Sequence, residues 1–173
     1  MTETMQKIAA GLERAFATGG FAEPSVDDLR DQAGVSLRTL YKYVPSRSEM
    51  VRAALEHRHQ RYLDLLFTDL PADPDSALME IIDRVAHWMV TEATHGCLFH
   101  AAVAAAPNDA ALRDLLSRHK FDVAHKVASA SNRVGHEVEL TLILEGLTQS
   151  YTLYGTQAVD AAKQIARHIP TAP

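Results

Sequence analysis

Apolar residues recur along this chain at the three- and four-residue intervals of a helix, from near its start to near its end. Ile8, Leu12, Ala15 and Phe16 form a first stripe, which stops where Gly19-Gly20 can supply a C-terminal cap. Ser25 followed three residues later by Asp28 is a capping box, and it opens a short second helix with Val26, Leu29 and Ala33 inward. Gly34 ends that helix by taking the left-handed conformation. Ser36 then caps a third helix through Tyr43, with Leu40 and Tyr43 or Val44 inward. Pro45 stops it. Ser46 and Glu49 repeat the capping box and open a long fourth helix to about Phe67, with Met50, Val51, Ala54, Leu55, Tyr62, Leu65 and Leu66 on its apolar side.

Residues 71–74 make the clearest break, with Asp73-Pro74 as N-cap and first helical residue of a fifth helix that ends near His95-Gly96. A short alanine-rich helix from about Leu98 to Ala105 stops before Pro107. Asn108 caps a seventh helix bearing Leu112, Leu115, Leu116, Phe121, Val123, Ala124 and Val127, and residues 129–135 form a polar connection. No strand-like alternation, repeat or low-complexity tract occurs. The pattern predicts an all-α fold of about nine helices, with a three-helix head over residues 1–45 and a helical body over residues 46–173.

The last two helices, 137–154 and 157–169, differ in kind. The first is apolar almost all round, so it must be covered on more than one side. The pair predicts a homodimer interface, a four-helix bundle with a second copy, through Val138, Ile143, Leu147, Tyr151, Tyr154, Ala158, Ala162 and Ile165. Burial at the centre of the chain's own body is the alternative.

Charge changes the picture more than composition does. The net charge is −5, yet residues 36–59 carry five basic and two acidic side chains, while residues 60–173 carry nine basic and fourteen acidic. A positive segment on an acidic body suits a protein that meets phosphate on one face. Apolar runs fall short of a membrane span, no signal peptide is evident, and Cys97 is the one cysteine, so the expectation is a cytoplasmic protein without a membrane or an intrachain disulfide.

The stretch from Ser25 to Glu49 has helix-turn-helix spacing: a short helix, a turn at Gly34-Val35-Ser36, and a second short helix. Leu37, Arg38 and Thr39 open the second helix, where side chains reach base edges. Arg38 suits guanine; Thr39 offers a hydroxyl to a base or phosphate, or a methyl to thymine. Tyr41 and Lys42 would meet the backbone, and Arg47 adds charge beside exposed N–H groups.

The run Asp31-Gln-Ala-Gly-Val-Ser-Leu-Arg-Thr-Leu-Tyr-Lys-Tyr-Val-Pro-Ser-Arg-Ser-Glu-Met50 resembles the signature of the tetracycline-repressor (TetR) family, with Phe16 and Gly20-Phe21 fitting upstream. The resemblance covers residues 5–60; beyond them it is one of helix count and order, and Gly96-Cys97-Leu98-Phe99 looks like a turn of some members. It implies that Leu37, Arg38 and Thr39 face bases and that Tyr41, Arg47 and Ser25 hold phosphates of double-stranded operator DNA. Asp27 and Asp28 depart from the pattern, and residues 1–6 hold no lysine or arginine. The expectation is therefore modest affinity per head and dependence on the dimer.

The resemblance also implies a body that encloses a small-molecule effector, whose binding changes the separation of the heads and releases DNA. Candidate walls are Tyr62, Phe67, Trp88, Met89, Phe99, His100, Phe121, His125 and Tyr151, a mostly apolar set with a few polar groups. No cofactor or metal is expected. A metal-sensing alternative would use His95, Cys97 and His100, which is one ligand short of a usual structural zinc site. A dimeric binding module with a head that no longer binds DNA is the other alternative. No nucleophile elbow, phosphate loop or zinc-protease motif supports an enzyme.

Overall fold

A computed structural model describes residues 2–172. Met1, at the head of the stretch without lysine or arginine, and Pro173, at the end of the predicted body, lie outside the described residues. Among those residues the fold is all-helical: α1 (Glu3–Gly19), α2 (Val26–Ala33), α3 (Leu37–Tyr43), α4 (Arg47–Phe67), α5 (Pro74–Thr91), α6 (Leu98–Ala105), α7 (Ala110–Ala130), α8 (Glu137–Tyr154) and α9 (Thr156–Ala166). No helix of the described residues is long and apolar enough to cross a membrane.

The chain divides into two compact units, one of residues 1–61 and 97–116, the other of residues 62–96 and 117–173. This division differs from the expected boundary at residue 45. The core of the first unit explains why: Ile8, Leu12, Phe16, Leu29 and Leu40 are buried together with Met50, Ala54 and Leu55 of α4, and with Leu98, Phe99, Ala102, Leu112 and Leu115. A three-helix head has too little apolar surface of its own to close a core, and these later residues complete it.

In the first unit α1 crosses α2 at Gly11. A Cβ there would stand 2.4 Å from the Ala33 Cα and the Gln32 carbonyl oxygen, so any side chain would force the two helices apart. Glu13 is buried on the same helix. Its carboxylate accepts from Arg58 at 3.0 Å and Arg61 at 2.7 Å through Oε1, and its Oε2 lies 2.6 Å from His57 Nδ1. A buried carboxylate with three nitrogen partners ties α1 to α4.

The second unit is built around Leu66, Leu78, Ile81, Ile82, Val85, Val127, Leu140, Leu144 and Leu147. Asp73 caps α5 by accepting from the Ser76 N–H at 2.8 Å, with Pro74 in the first turn, as the sequence predicts. Three expectations need correction. α5 ends at Thr91, ahead of His95-Gly96. Asp109, not Asn108, caps α7: its carboxylate accepts from the Ala111 and Leu112 N–H groups. The polar connection expected over residues 129–135 keeps Asn132, Val134 and Gly135 exposed and turns two of its polar residues inward. α7 runs through Ala130, Ser131 is buried, and Arg133 is buried with its guanidinium on the carbonyls of Ser131 and Ile169 and on Asp75 at 2.6 Å. Phe121 is 68% exposed, because it lies about 200° round the helix from the buried Val123; His119 takes the inward position.

Candidate nucleic-acid interface

Both short helices of the head begin at a serine, and the two starts differ. At α2, Ser25 Oγ accepts the Asp28 N–H at 3.2 Å, while Asp28 Oδ2 accepts from the Ser25 N–H at 2.8 Å and the Ser25 hydroxyl at 2.6 Å. These bonds from the Ser25 hydroxyl and backbone hold the Asp28 carboxyl below its ordinary value. A carboxylate thus fills the place where a phosphate would receive the same donors. Arg30 is likewise held between Asp27 at 2.7 Å and Asp31 at 2.8 Å.

At α3 no carboxylate intervenes. Ser36 Oγ accepts the Thr39 N–H at 3.1 Å and lies 2.8 Å from Thr39 Oγ1. The turn before it rests on Gly34, whose φ of 62° is left-handed and whose N–H returns to the end of α2. Two α1 cations fasten this turn: Lys7 donates to the Gly34 carbonyl at 2.9 Å, and Arg14 donates to the Gln32 carbonyl at 3.1 Å. Cations on the carbonyls at a helix C-terminus satisfy acceptors that the helix leaves open. The result is a helix with a fixed start and an exposed outer face. Leu37, Arg38, Tyr41 and Lys42 are exposed, Thr39 is half-buried, and Leu40 alone of the helix is fully inside. Arg38 and Tyr41 make no intramolecular polar contact among the described residues. Arg47 is committed differently: it donates to the Phe21 carbonyl at 2.8 Å and lies 5.7 Å from the centre of the Phe16 ring, which stacks on Phe21.

The second unit carries an exposed face of the opposite character. Val138, Leu142, Leu153, Tyr154 and Ile165 are all more than half exposed. Between α8 and α9 runs an open groove of about 520 Å³, lined by residues that include Leu142, Ile143, Leu147, Tyr154, Ala158, Ala162 and Ile165. Of the predicted interface residues, Ile143, Leu147, Ala158 and Ala162 are buried in the unit's own core and form the groove's floor; Val138, Tyr154 and Ile165 are outside, and Tyr151 is half-buried. Ile165, expected in the interface, is exposed at the rim of the groove. The buried arc of α9 runs through Ala158, Val159, Ala162 and Ala166, which leaves Ile165 at its edge.

Residues 8–54 match the family model described as bacterial regulatory proteins, tetR family. Over those residues the chain is similar to the tetR family. The HTH-type transcriptional regulator EthR of Mycolicibacterium smegmatis is 35% identical over 79 residues, which are 44% of this chain and 36% of that protein. The chain therefore spans about a third of the length of the curated relative it matches. A TetR-family transcriptional regulator from Streptomyces coelicolor superposes with a TM-score of 0.79 at 15% identity, over 96% of each chain. The multidrug binding protein EbrR, solved in complex with imidazole, gives 0.73 at 20% identity over 99% of this chain and 95% of that one. At these identities the solved structures establish that the chain carries the tetR-type fold throughout.

The tetR-type head presents Leu37, Arg38, Thr39, Tyr41 and Lys42 along one short helix, with Ser25 and Arg47 each engaged within the head. The residues expected to enclose an effector are spread over both units. Phe99 and His100 belong to the first, the other seven to the second. In the second, Tyr62 meets Trp88 edge-on at 5.1 Å and His119 at 5.6 Å, and Tyr62 and Tyr151 pack on the Trp88–Met89 cluster. Phe67 packs at the edge of the main core beneath Lys126, while His125 is exposed and stacked on Phe121. Tyr62 also lines a narrow crevice of about 20 Å³ with His119, Lys120, Thr141 and Glu145, room for about one water. Among the described residues no group of three His, Cys, Asp or Glu side chains is placed to hold a metal ion, and His95 and His100 are exposed.

Sequence reasoning missed Gly11, Lys7, Arg14 and Glu13. Glu13 carried a signal. It stands four residues after Ala9 and three before Phe16, on the inward stripe of α1, where an acid requires cationic partners.

Proposed function

We propose that the chain is a DNA-binding transcriptional regulator, a repressor that holds operator DNA as a homodimer and is released by a small-molecule ligand bound in its body. The observation that carries this reading is the α3 face. Arg38 and Tyr41 stand exposed, without polar partners among the described residues, on a helix whose start is locked by Ser36, whose preceding turn is held by Lys7, and which sits in the positive segment of an acidic protein. A helix so presented enters the major groove with Leu37, Arg38 and Thr39 toward bases and Tyr41, Lys42 and Arg47 toward phosphates. Ser25 contributes less, because Asp28 occupies its donors.

The second copy is assigned to the α8–α9 face. Exposed Leu142, Tyr154 and Ile165 around an apolar groove gain by being covered with the same face of a partner, as two-fold symmetry requires. Ligand binding is assigned to the second unit, around the Tyr62–Trp88–Tyr151 cluster, whose adjoining one-water crevice would have to open to admit a ligand. The resemblance to a multidrug binding protein supports that assignment by fold alone.

A gel-shift titration against the DNA flanking the protein's own gene, at two salt concentrations and beside an Arg38→Ala/Tyr41→Ala variant, tests the reading. Expected is a shift with dimer stoichiometry, weakened by salt and lost in the variant. Binding equal in the variant and the wild type at low salt would favour a head that has kept its fold and lost its role.

A further inference from the structure

Glu13 is a carboxylate on the inward stripe of α1, and the DNA-facing surface makes no use of it. Its Oε1 accepts from Arg58 at 3.0 Å and Arg61 at 2.7 Å, and its Oε2 lies 2.6 Å from His57 Nδ1. Arg58 is buried with it, while His57 and Arg61 reach water in part. Such a cluster is weak evidence for stability, because apolar side chains of similar volume hold a core as well or better. What an apolar contact lacks is direction. Methyl groups that slide by the rise of one residue, about 1.5 Å, find new neighbours. A carboxylate with both oxygens committed would be left unpaired in the core by the same slide. The cluster therefore fixes one register of α1 on α4.

That register reaches α3 through another side of α1. Lys7, Gly11 and Arg14 lie within about 60° of one another round the helix axis, and Glu13 about 130° from the centre of that group. On their side Gly11 brings α1 against Ala33, Lys7 holds the Gly34 carbonyl and Arg14 the Gln32 carbonyl. The turn before α3 is thus clamped to α1. The hold of α1 on α4 is different: the two helices share little close backbone contact among the described residues, and long side chains bridge them. α3 joins α4 directly through residues 44–46, and the Glu13 cluster adds a second fixed point about 15 Å along α4. Two points set an angle where one would leave a hinge. We infer that Glu13 is a positioning residue for operator spacing: through Arg58, Arg61 and His57 it fixes the angle of α1 and the α2–α3 pair on α4, and with it the half-site separation that a dimer accepts. The inference rests on the reading of the chain as a dimeric DNA-binding regulator and adds a determinant of specificity that touches no DNA.

The test uses a duplex with two half-sites, recovered by the wild type from a randomised library, and the same duplex with one base pair inserted at its centre. The insertion moves one half-site by about 3.4 Å and turns it by about 34°. The wild type should bind the lengthened duplex about thirty-fold more weakly, because its second head no longer engages without strain. Glu13→Leu with Arg58→Met replaces the buried pair by apolar groups of similar volume. That variant should match or exceed the wild-type thermal midpoint, bind the original duplex, and lose only about three-fold on insertion. The penalty is a ratio of two affinities of one protein, so a smaller folded fraction leaves it unchanged. A folded double variant that keeps the full penalty overturns the inference, and so does a wild type that binds both duplexes alike. If the double variant does not fold, His57→Phe with Arg61→Met decides, since it leaves the Glu13–Arg58 pair whole. There the penalty should fall to about ten-fold, and an unchanged one overturns the inference. If the library yields no duplex that binds wild type better than the Arg38→Ala/Tyr41→Ala variant, the DNA-binding reading falls and this inference falls with it.

Discussion

Two exposed faces of this protein solve opposite problems. The α3 face of the first unit is polar and cationic, and its backbone is pinned from behind by Ser36, Lys7 and Arg14. The α8–α9 face of the second unit is apolar, with Val138, Leu142, Leu153, Tyr154 and Ile165 in the open. Water solvates the first without strain, and salt weakens its attraction to a polyanion. The second loses free energy while exposed and gains it when covered. The contrast teaches that rigidity and attraction are supplied separately. On the proposed reading, internal hydrogen bonds aim α3 at DNA, and apolar surface elsewhere would bring two copies of that helix together.

The largest expected effect comes from charging the apolar face. Leu142→Glu together with Ile165→Glu would place four carboxylates in a two-fold interface, weakening the dimer on the order of a thousand-fold. Light scattering coupled to size exclusion should then give the mass of one chain, with unchanged helix content because both side chains are exposed. A dimer that survives would break the comparison by placing the interface elsewhere.

A smaller effect sharpens the polar side. Asp28 fills the start of α2 with negative charge, so Asp28→Asn should tighten DNA binding about three-fold at low salt, the gain fading as ionic strength rises. Fluorescence anisotropy at two salt concentrations reads this directly. An unchanged affinity would mean that α2 begins away from the phosphate backbone.

Smallest is the acid response of the helix caps. Asp28, Asp73 and Asp109 are held below the ordinary aspartate value of 3.8 by the Ser25 hydroxyl, by Ser76 and by the Leu112 N–H. In each the folded state binds its proton less readily than the unfolded state. Their contribution is therefore whole above that value and is lost as pH falls through it toward the lower folded values. The thermal midpoint should drop between about pH 5 and about pH 3, and the drop should be shallower in Asp73→Asn. A slope that Asp73→Asn leaves unaltered would remove the α5 cap from the account.

The same two regions show what could be read in advance. Helix starts at Ser25, Ser36 and Asp73 were legible because a cap is a contact with a residue three positions on. At Asp109 the neighbouring Asn108 had equal claim by residue type, and geometry chose between them. Helix α3 was legible for the same local reason, with a motif beside it. Glu13 and Arg133 were not, because their partners lie 45 and 58 residues away. Phe121 was misread through residue type: an aromatic ring counted as core although its helical phase put it outside. On α8 and α9 the apolar surplus was visible, yet which half of it would be buried depended on the packing of α5 and α7.

The central claim is that the two faces act together, the apolar one delivering the polar ones to DNA in pairs. The direct test measures the affinity of the Leu142→Glu/Ile165→Glu protein for a duplex selected by the wild type. Its α3 face is untouched, so the account predicts intact helix content with DNA binding reduced at least a hundred-fold, in line with the loss of one of two linked contacts. Wild-type affinity in a protein proven monomeric would contradict it.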